Sequence, residues 1–549
     1  MLYREISRTL AVFLWGLAIP LAFPFFIAIY CERVAGPEVY PQPPSAFAFF
    51  ATIVITILLG WLFRFLGRKS TGRIFRREAL LMVLLFYFMT SFIGGLPFYL
   101  NKTFTNPIDA FYETVSGLTT TGATLMEGKQ YNPETGKEIP ITKTFVTGEP
   151  TTYSYYGTIT PVIDSSTNKV LYTGIEAVSP ALLFWRSMTQ WLGGCGIVVL
   201  FVAILPALGV GGKILYQTEV TGPSKESLAP RIKETASHLW KIYLGLTVLE
   251  IILLMVTNSD VSLFDATTIT FSTLSTGGFT PKNGSIGSFN NPYTDIVVMV
   301  FMVLGSISFS IYFFCLRGKF RRLNDPELKA FLIVVALASL FAAWNLSGLS
   351  ATSIGGPEGS LFHFWEGLRY GAFQIISAFT STGFVTANYD IWPFAIQLLM
   401  LILMFVGAMA GSTAGGIKMI RSQMLFRIIV DKIETIFRPD TVRTYRVGAT
   451  TIDNRAAMTV LCFFMVVVIL TITSTFLLVI DGVDPETSIS TVACWINNVG
   501  IAFRMGSPAD SFAFLTNFGK ILGSFLMIAG RLEFFAVLIA FVPAFWRTK

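Results

Sequence analysis

The chain has 549 residues, of which 53% are hydrophobic and 13% charged, with a formal net charge of +7. A composition this apolar at this length excludes an ordinary soluble enzyme or binding domain and predicts a polytopic membrane protein. The five cysteines (Cys31, Cys195, Cys315, Cys462, Cys494) have no metal-ligand spacing, the two histidines are His238 and His363, and there is no Walker loop, nucleotide-binding glycine fingerprint or Ser/His/Asp arrangement, so neither a zinc site, a disulfide framework nor enzymatic chemistry is expected.

In chain order, the runs 10–31 and 46–66 come first. Each suffices for the roughly 20 helical residues that cross a hydrocarbon core of about 30 Å. No small-residue cleavage site follows the first, so it predicts a retained span and not a cleaved signal. The runs 79–100 and 458–480 are of the same kind. Lysine and arginine crowd into 67–77, 317–329, 418–446 and the C-terminal end, whereas 101–178, 258–290 and 346–389 are mixed or acidic. The positive-inside rule makes the basic set cytoplasmic, with both termini inside and an even number of spans. Each basic loop abuts a span, so no nucleic-acid partner is expected.

A faint repeat runs through the rest of the chain. Its four copies are Val115-Ser-Gly-Leu-Thr-Thr-Thr-Gly122, Phe271-Ser-Thr-Leu-Ser-Thr-Gly-Gly278, Ile376-Ser-Ala-Phe-Thr-Ser-Thr-Gly383 and Ala493-Cys-Trp-Ile-Asn-Asn-Val-Gly500. The glycines are 156, 105 and 117 residues apart, and removing a 51-residue polar insert, 127–177, brings the first interval to 105. Each glycine follows a full apolar span and a short half-apolar segment, and precedes another span. This predicts an all-α membrane protein of about ten transmembrane helices, with four pseudo-fourfold membrane–pore-loop–membrane repeats around one pore, because irregular backbone at membrane depth is tolerated only where protein buries it or water lines it. The divisions are 1–70 (two N-terminal spans), 71–210 (repeat 1, with the insert on the outer face), 211–318, 319–446 and 447–549. In Asn106-Pro107-Ile-Asp109 and Asp484-Pro485-Glu486, proline and acids fall where a helix begins, so the short segments are helices whose negative ends point at the glycines.

A permeating cation needs oxygens in place of its hydration shell, and carbonyls can converge only where some residue accepts positive φ. The candidate ligand set is Thr120, Thr121, Gly122; Thr276, Gly277, Gly278; Ser381, Thr382, Gly383; and Asn498, Val499, Gly500. After the third loop an apolar helix reaches Phe405 and meets Gly407-Ala-Met-Ala-Gly411-Ser412-Thr413-Ala-Gly415-Gly416-Ile-Lys418. Two readings stand at this point: an irregular segment too rich in glycine to stay helical, or a small-xxx-small packing surface. Arg531 stands inside the last span, where an unpaired charge costs roughly 2.5–3.5 kcal/mol on insertion scales, so it faces the bundle interior. An ion pair with Glu250 or Glu533 is one role for it.

Arg186-Ser-Met-Thr-Gln-Trp-Leu-Gly-Gly-Cys-Gly196, Gly222-Pro-Ser-Lys-Glu-Ser-Leu-Ala-Pro-Arg231, Ser275-Thr-Gly-Gly-Phe-Thr280 and Gly284-Ser-Ile-Gly287 resemble the TrkH branch of the Trk/Ktr/HKT potassium transporter superfamily. The two extra N-terminal spans favour that branch over the shorter KtrB one. The resemblance implies potassium as the transported ion, a bacterial inner-membrane location, a homodimer, and a cytoplasmic nucleotide-binding partner of the TrkA type, for which 211–241 and 418–446 are candidate docking surfaces. It also implies that 407–418, with Gly407, Gly411, Ser412, Thr413, Gly415, Gly416 and Lys418, is a flexible gate under the filter, and that Arg531 projects into the pore beside it. Two features depart from the family pattern. The fourth loop, Asn497-Asn498-Val499-Gly500-Ile501-Ala502-Phe503, lacks the expected further proline and glycines, and the insert 127–177 is either a cover for the pore entrance or, the favoured reading, a neutral surface elaboration. An alternating-access cation symporter is the alternative function; an inverted repeat with ionisable residues would mark it, whereas these repeats are parallel and their glycine loops contain no acid.

Overall fold

The computed structural model describes residues 3–70, 76–132, 134–147, 149–164, 169–199, 228–349, 362–438, 445–447, 450–452, 454–508 and 510–546. Two helices lead, α1 (Tyr3–Ile29) and α2 (Ala46–Leu66), packed against each other and onto the first repeat. That repeat comprises α3 (Arg76–Leu100), the short α4 (Pro107–Leu118) and α5 (Pro180–Val199). The second has α6 (Leu228–Thr257), α7 (Leu263–Leu274), α8 (Pro292–Gly305) and α9 (Phe309–Leu316). The third has α10 (Pro326–Leu346), α11 (Phe364–Phe379), α12 (Phe394–Val406) and the amphipathic α13 (Met419–Phe437). The fourth has α14 (Asn454–Ile480), α15 (Pro485–Asn497), α16 (Asn517–Arg531) and α17 (Phe535–Leu538).

Among the described residues six helices are long and apolar enough to cross a bilayer. Two further helix pairs bring this to eight if each is taken as one bent span, and in both the second helix of the repeat is broken. The helix pair Pro292–Gly305 and Phe309–Leu316 bends by 89°, and Asn517–Arg531 with Phe535–Phe541 by 114°. α12 stops after 13 residues. The first of these interruptions has a reason in hydrogen bonding. A long irregular segment, 407–418, enters there and takes over backbone groups that a continuous helix would have satisfied internally: the Thr413 amide donates to the Gly305 carbonyl, the Met409 amide to the Ser306 carbonyl, and the Phe309 amide to the Gly411 carbonyl. The small-xxx-small helix is therefore absent.

Large apolar side chains such as Leu337, Phe341 and Trp344 on α10 face outward, while the core is centred on the short helices. Trp185 and Trp495 are fully buried, their indole N–H groups donating to the Gly94 carbonyl (2.9 Å) and the Tyr112 hydroxyl (2.8 Å). The insert forms three antiparallel hairpins: β1 (Gln130–Tyr131) with β2 (Glu138–Ile139), β3 (Ile141–Thr147) with β4 (Glu149–Tyr155), and β5 (Val162–Ile163) with β6 (Val170–Tyr172). The positions 200–227, which include Gly222–Ser227 and most of the first candidate docking loop, lie outside the described residues, as do 439–444 of the second.

Candidate functional site

The four short helices are started by their own sequences. Asn106 accepts from the Ile108 amide with Pro107 in the first helical position, Ser262 accepts from Asp265, Glu366 accepts from the His363 amide, and Asp484 accepts from Thr487 with Pro485 following. The expected proline and acid signals at the first and fourth are thus borne out. Each helix ends in a loop of the same shape: Thr120 (φ 53°) and Gly122 (89°), Thr276 (54°) and Gly278 (79°), Ser381 (54°) and Gly383 (83°), Asn498 (53°) and Gly500 (89°). In every copy two residues of positive φ flank a single residue whose φ is not positive, a pattern shared by all four loops.

How the loops meet shows that they form a closed ring. A Cβ on Gly122 would run into the carbonyl oxygen of Gly277, one on Gly278 into Thr382, one on Gly383 into Val499, and one on Gly500 into Thr121. Each glycine therefore abuts the carbonyl preceding the glycine of the next loop, in cyclic order one to four and back to one. The four glycines also form the floor of an open cavity of about 460 Å³, rimmed by Glu127, Lys129, Thr280, Lys282, Asp510 and Phe512. All twelve candidate ligand residues are brought together around this axis, beneath a polar vestibule. Hydroxyls extend the set: Thr119 and Thr121 share a hydrogen bond of 2.8 Å and Thr380 and Thr382 one of 2.7 Å, while the Thr120 hydroxyl is buried with no hydrogen-bond partner among the described residues.

Sequence reasoning missed the groups that brace this ring from behind. Gln190 on α5 donates to the Gly277 carbonyl (2.6 Å) and accepts from the Phe279 amide (3.1 Å), locking the second loop. Arg186, four residues earlier and so on the same face of the helix, pairs with the fully buried Glu113 of α4 at 2.8 Å, donates to the Thr280 carbonyl and lies over the Phe279 ring. Glu113 in turn accepts from Thr124 and the Leu125 amide. Their signal was a charged and a polar residue inside otherwise apolar segments. In the fourth loop the Asn498 amide does the same work, donating to the Thr121 hydroxyl (2.9 Å) and the Met527 carbonyl (3.0 Å).

The segment 407–418 closes the opposite side. Gly407, Gly411, Gly416 and Lys418 all have positive φ, so the chain turns repeatedly instead of coiling. The Thr413 hydroxyl lies within 2.9 Å of the Leu274 and Gly305 carbonyls and 3.5 Å from the Thr276 hydroxyl, the Gly415 amide donates to Ser381 (2.6 Å), Ser412 bonds back to Met409, and the Lys418 amine caps the Ala414 carbonyl. The segment therefore lies across the inner ends of the loops and of their helices. Arg531, at the last turn of α16, is 4% exposed and donates to the Thr413 carbonyl (2.7 Å), while its Nε and Nη2 have no hydrogen-bond partner among the described residues. Neither expected ion pair for it is present there: Glu533 pairs with Arg421 at 2.5 Å, and both oxygens of the buried Glu250 lack a hydrogen-bond partner. One anchor was not foreseen. Glu327, at the start of α10, accepts from both the Ala410 amide (2.9 Å) and the Ile420 amide (3.1 Å), gripping the segment at two points.

Residues 163–548 match the family profile described as TrkH, cation transport protein, which is more than half of the chain. The chain belongs to the TrkH family. It is 33% identical to the Trk system potassium uptake protein TrkH of Halomonas elongata over 91% of this chain and 92% of that one, and 30% identical to the TrkH of Salmonella typhimurium over 99% of each. Among solved structures, that of the potassium transporter TrkH from Vibrio parahaemolyticus matches with a TM-score of 0.79 at 27% identity, covering 100% of both chains. The fourth loop of this chain lacks the Ser/Thr-rich sequence of the other three, yet it places Asn498 and Gly500 at the same positive φ as their counterparts.

Proposed function

We propose that this chain is the membrane-embedded, pore-forming subunit of a Trk-type potassium uptake system, passing potassium ions through one filter of four loops with no chemical reaction of its own. The reading rests on the closed ring, in which every glycine lies against a carbonyl of the next loop and all four floor one polar vestibule. Carbonyls held this way can stand in for the water a potassium ion sheds, and the four helix C-termini behind them add negative potential. Thr121, Gly277, Thr382 and Val499 supply the ring carbonyls, with Thr120, Thr276, Ser381, Asn498 and the four glycines setting their direction. The family and the names of its relatives support potassium as the ion.

In this reading the segment 407–418 is the inner gate. It obstructs the path below the filter, and Arg531 adds a positive charge to the same constriction. The protein sits in the bacterial inner membrane with both termini cytoplasmic, works as a homodimer, and is controlled by a nucleotide-binding cytoplasmic partner of the TrkA type, which would act on the gate through the cytoplasmic ends of α10 and α13. Recording from purified protein in planar bilayers tests the whole reading. The expected result is potassium-selective unitary current, rising when 407–416 is shortened by a few residues. Transport only at carrier-like turnover, unaltered by that deletion, would favour alternating access and reject the gate.

A further inference from the structure

The insert 127–177 has a built contact surface. Strands β3 and β4 alternate: Thr142, Thr144, Thr152 and Ser154 face water, with Thr144 and Thr152 hydrogen-bonded across the pair, while Ile141, Lys143, Tyr153 and Tyr155 face inward. The inward face docks on the fourth repeat. Ile141, Tyr153 and Tyr155 bury with Met505 and Ala513, the Tyr153 ring stands edge-on to Phe514, and the Tyr153 hydroxyl donates to Asp484, the residue that caps the fourth short helix, at 2.6 Å. The other end of the insert holds the second repeat, where Asn283 accepts from the Ile175 amide (2.8 Å) and donates to the Thr173 carbonyl (2.9 Å). The insert therefore grips two opposite quadrants of the ring, and a neutral surface elaboration does not describe it.

Its charges are equally placed. Of the cations near the vestibule, Lys129 pairs with Glu138, Lys282 with Glu176 and Arg186 with Glu113. The acids Glu127 and Asp510 remain on the rim. Lys143, which stands opposite Tyr153 on the docked strand, forms an ion pair with Asp510 and lies within electrostatic reach of Glu127. Burial pushes the Glu127 carboxyl above its ordinary range and the Lys143 amine below its own, as expected of charges drawn into a shared, poorly hydrated corner.

Building on the potassium-pore reading, we propose that Lys143 is a tethered cation of the outer mouth: by neutralising Asp510 and Glu127 it lowers the local concentration of entering cations and sets the apparent affinity of uptake. The test is rubidium or potassium uptake into cells lacking other uptake systems, measured as KM and maximal rate at low and high ionic strength. Lys143→Gln is expected to lower KM about threefold, and Asp510→Asn, which leaves the lysine uncompensated, to raise it by a similar factor, both without loss of maximal rate. Lys143→Arg should match wild type, the double variant should return near it, and all shifts should shrink in about 0.5 M impermeant salt, where screening is nearly complete over these distances. Potassium uptake by both variants without opposite-signed KM shifts would overturn the tethered-cation role while leaving the pore reading intact. KM raised by both substitutions, or maximal rate lost in both, would show a structural brace instead. Should the glutamine variant not reach the membrane, the sign of the Asp510→Asn shift decides alone.

Discussion

Two irregular stretches of backbone face each other across the centre of this molecule, and they are held in different ways. The proposed filter is four short loops that brace one another in a ring, each glycine against its neighbour's carbonyl, with a buried ion pair and a glutamine behind. The segment 407–418 is a single longer loop with no copy among the described residues, pinned by a few side chains that reach it from other elements: Glu327, Ser381 and Arg531. A ring of mutual contacts fails as a unit and resists partial opening. A loop held at a few points can release one at a time, which is what a gate requires. The helix break after Gly305 belongs to the second design, since Gly305, Ser306 and Phe309 exchange backbone hydrogen bonds with the loop there.

The largest expected effect comes from removing the ring's support. Arg186→Gln leaves the fully buried Glu113 carboxylate without its cation, and such a change costs about 3–5 kcal/mol. Thermal unfolding of the purified protein in detergent should fall clearly, and co-substitution of Glu113→Gln should recover part of the loss. An unchanged transition would show that the pair lies outside the stabilising core.

Next comes the ring itself. Gly278→Ala and Gly500→Ala each drive a Cβ into a neighbouring carbonyl at a residue with positive φ, so each is expected to reduce the potassium-to-sodium flux ratio by roughly tenfold. The divergent flanks of the fourth loop would suggest a milder effect at Gly500, but its contact with Thr121 puts it on an equal footing. Isotope flux into proteoliposomes distinguishes these, and an unaltered ratio for Gly500→Ala alone would mean that three quadrants suffice.

The smallest effects sharpen the gate. Arg531→Ala removes both a positive charge and the hydrogen bond to Thr413, and flux without the cytoplasmic partner should rise several-fold, since a like charge beside the path repels the ion. Glu327→Gln keeps one acceptor but loses the charge-assisted grip on two amides, so a rise of about twofold is expected. Retained expression with flux unchanged in both would locate the gate elsewhere.

The apolar spans, the four glycine loops and the starts of the first and fourth short helices were legible in the chain because each is a local matter: a span needs apolar residues in sequence, a left-handed turn needs glycine or a tolerant residue, and a helix start needs a cap beside it. The choice between a packing helix and an irregular loop at 407–418 was not legible, since glycine spacing is compatible with both and the outcome depends on carbonyls contributed by Leu274 and Gly305 from another repeat. Nor could the sequence assign Arg531, because Glu533, two residues away, turns instead to Arg421. Glu327, Gln190, Asn498 and Lys143 owe their positions to partners 83, 87, 377 and about 370 residues distant. Local chemistry determined which segments cross, turn and cap; the closing of the four repeats around one axis decided which side chains meet, because only there do groups far apart in the chain satisfy one another's buried hydrogen bonds and charges.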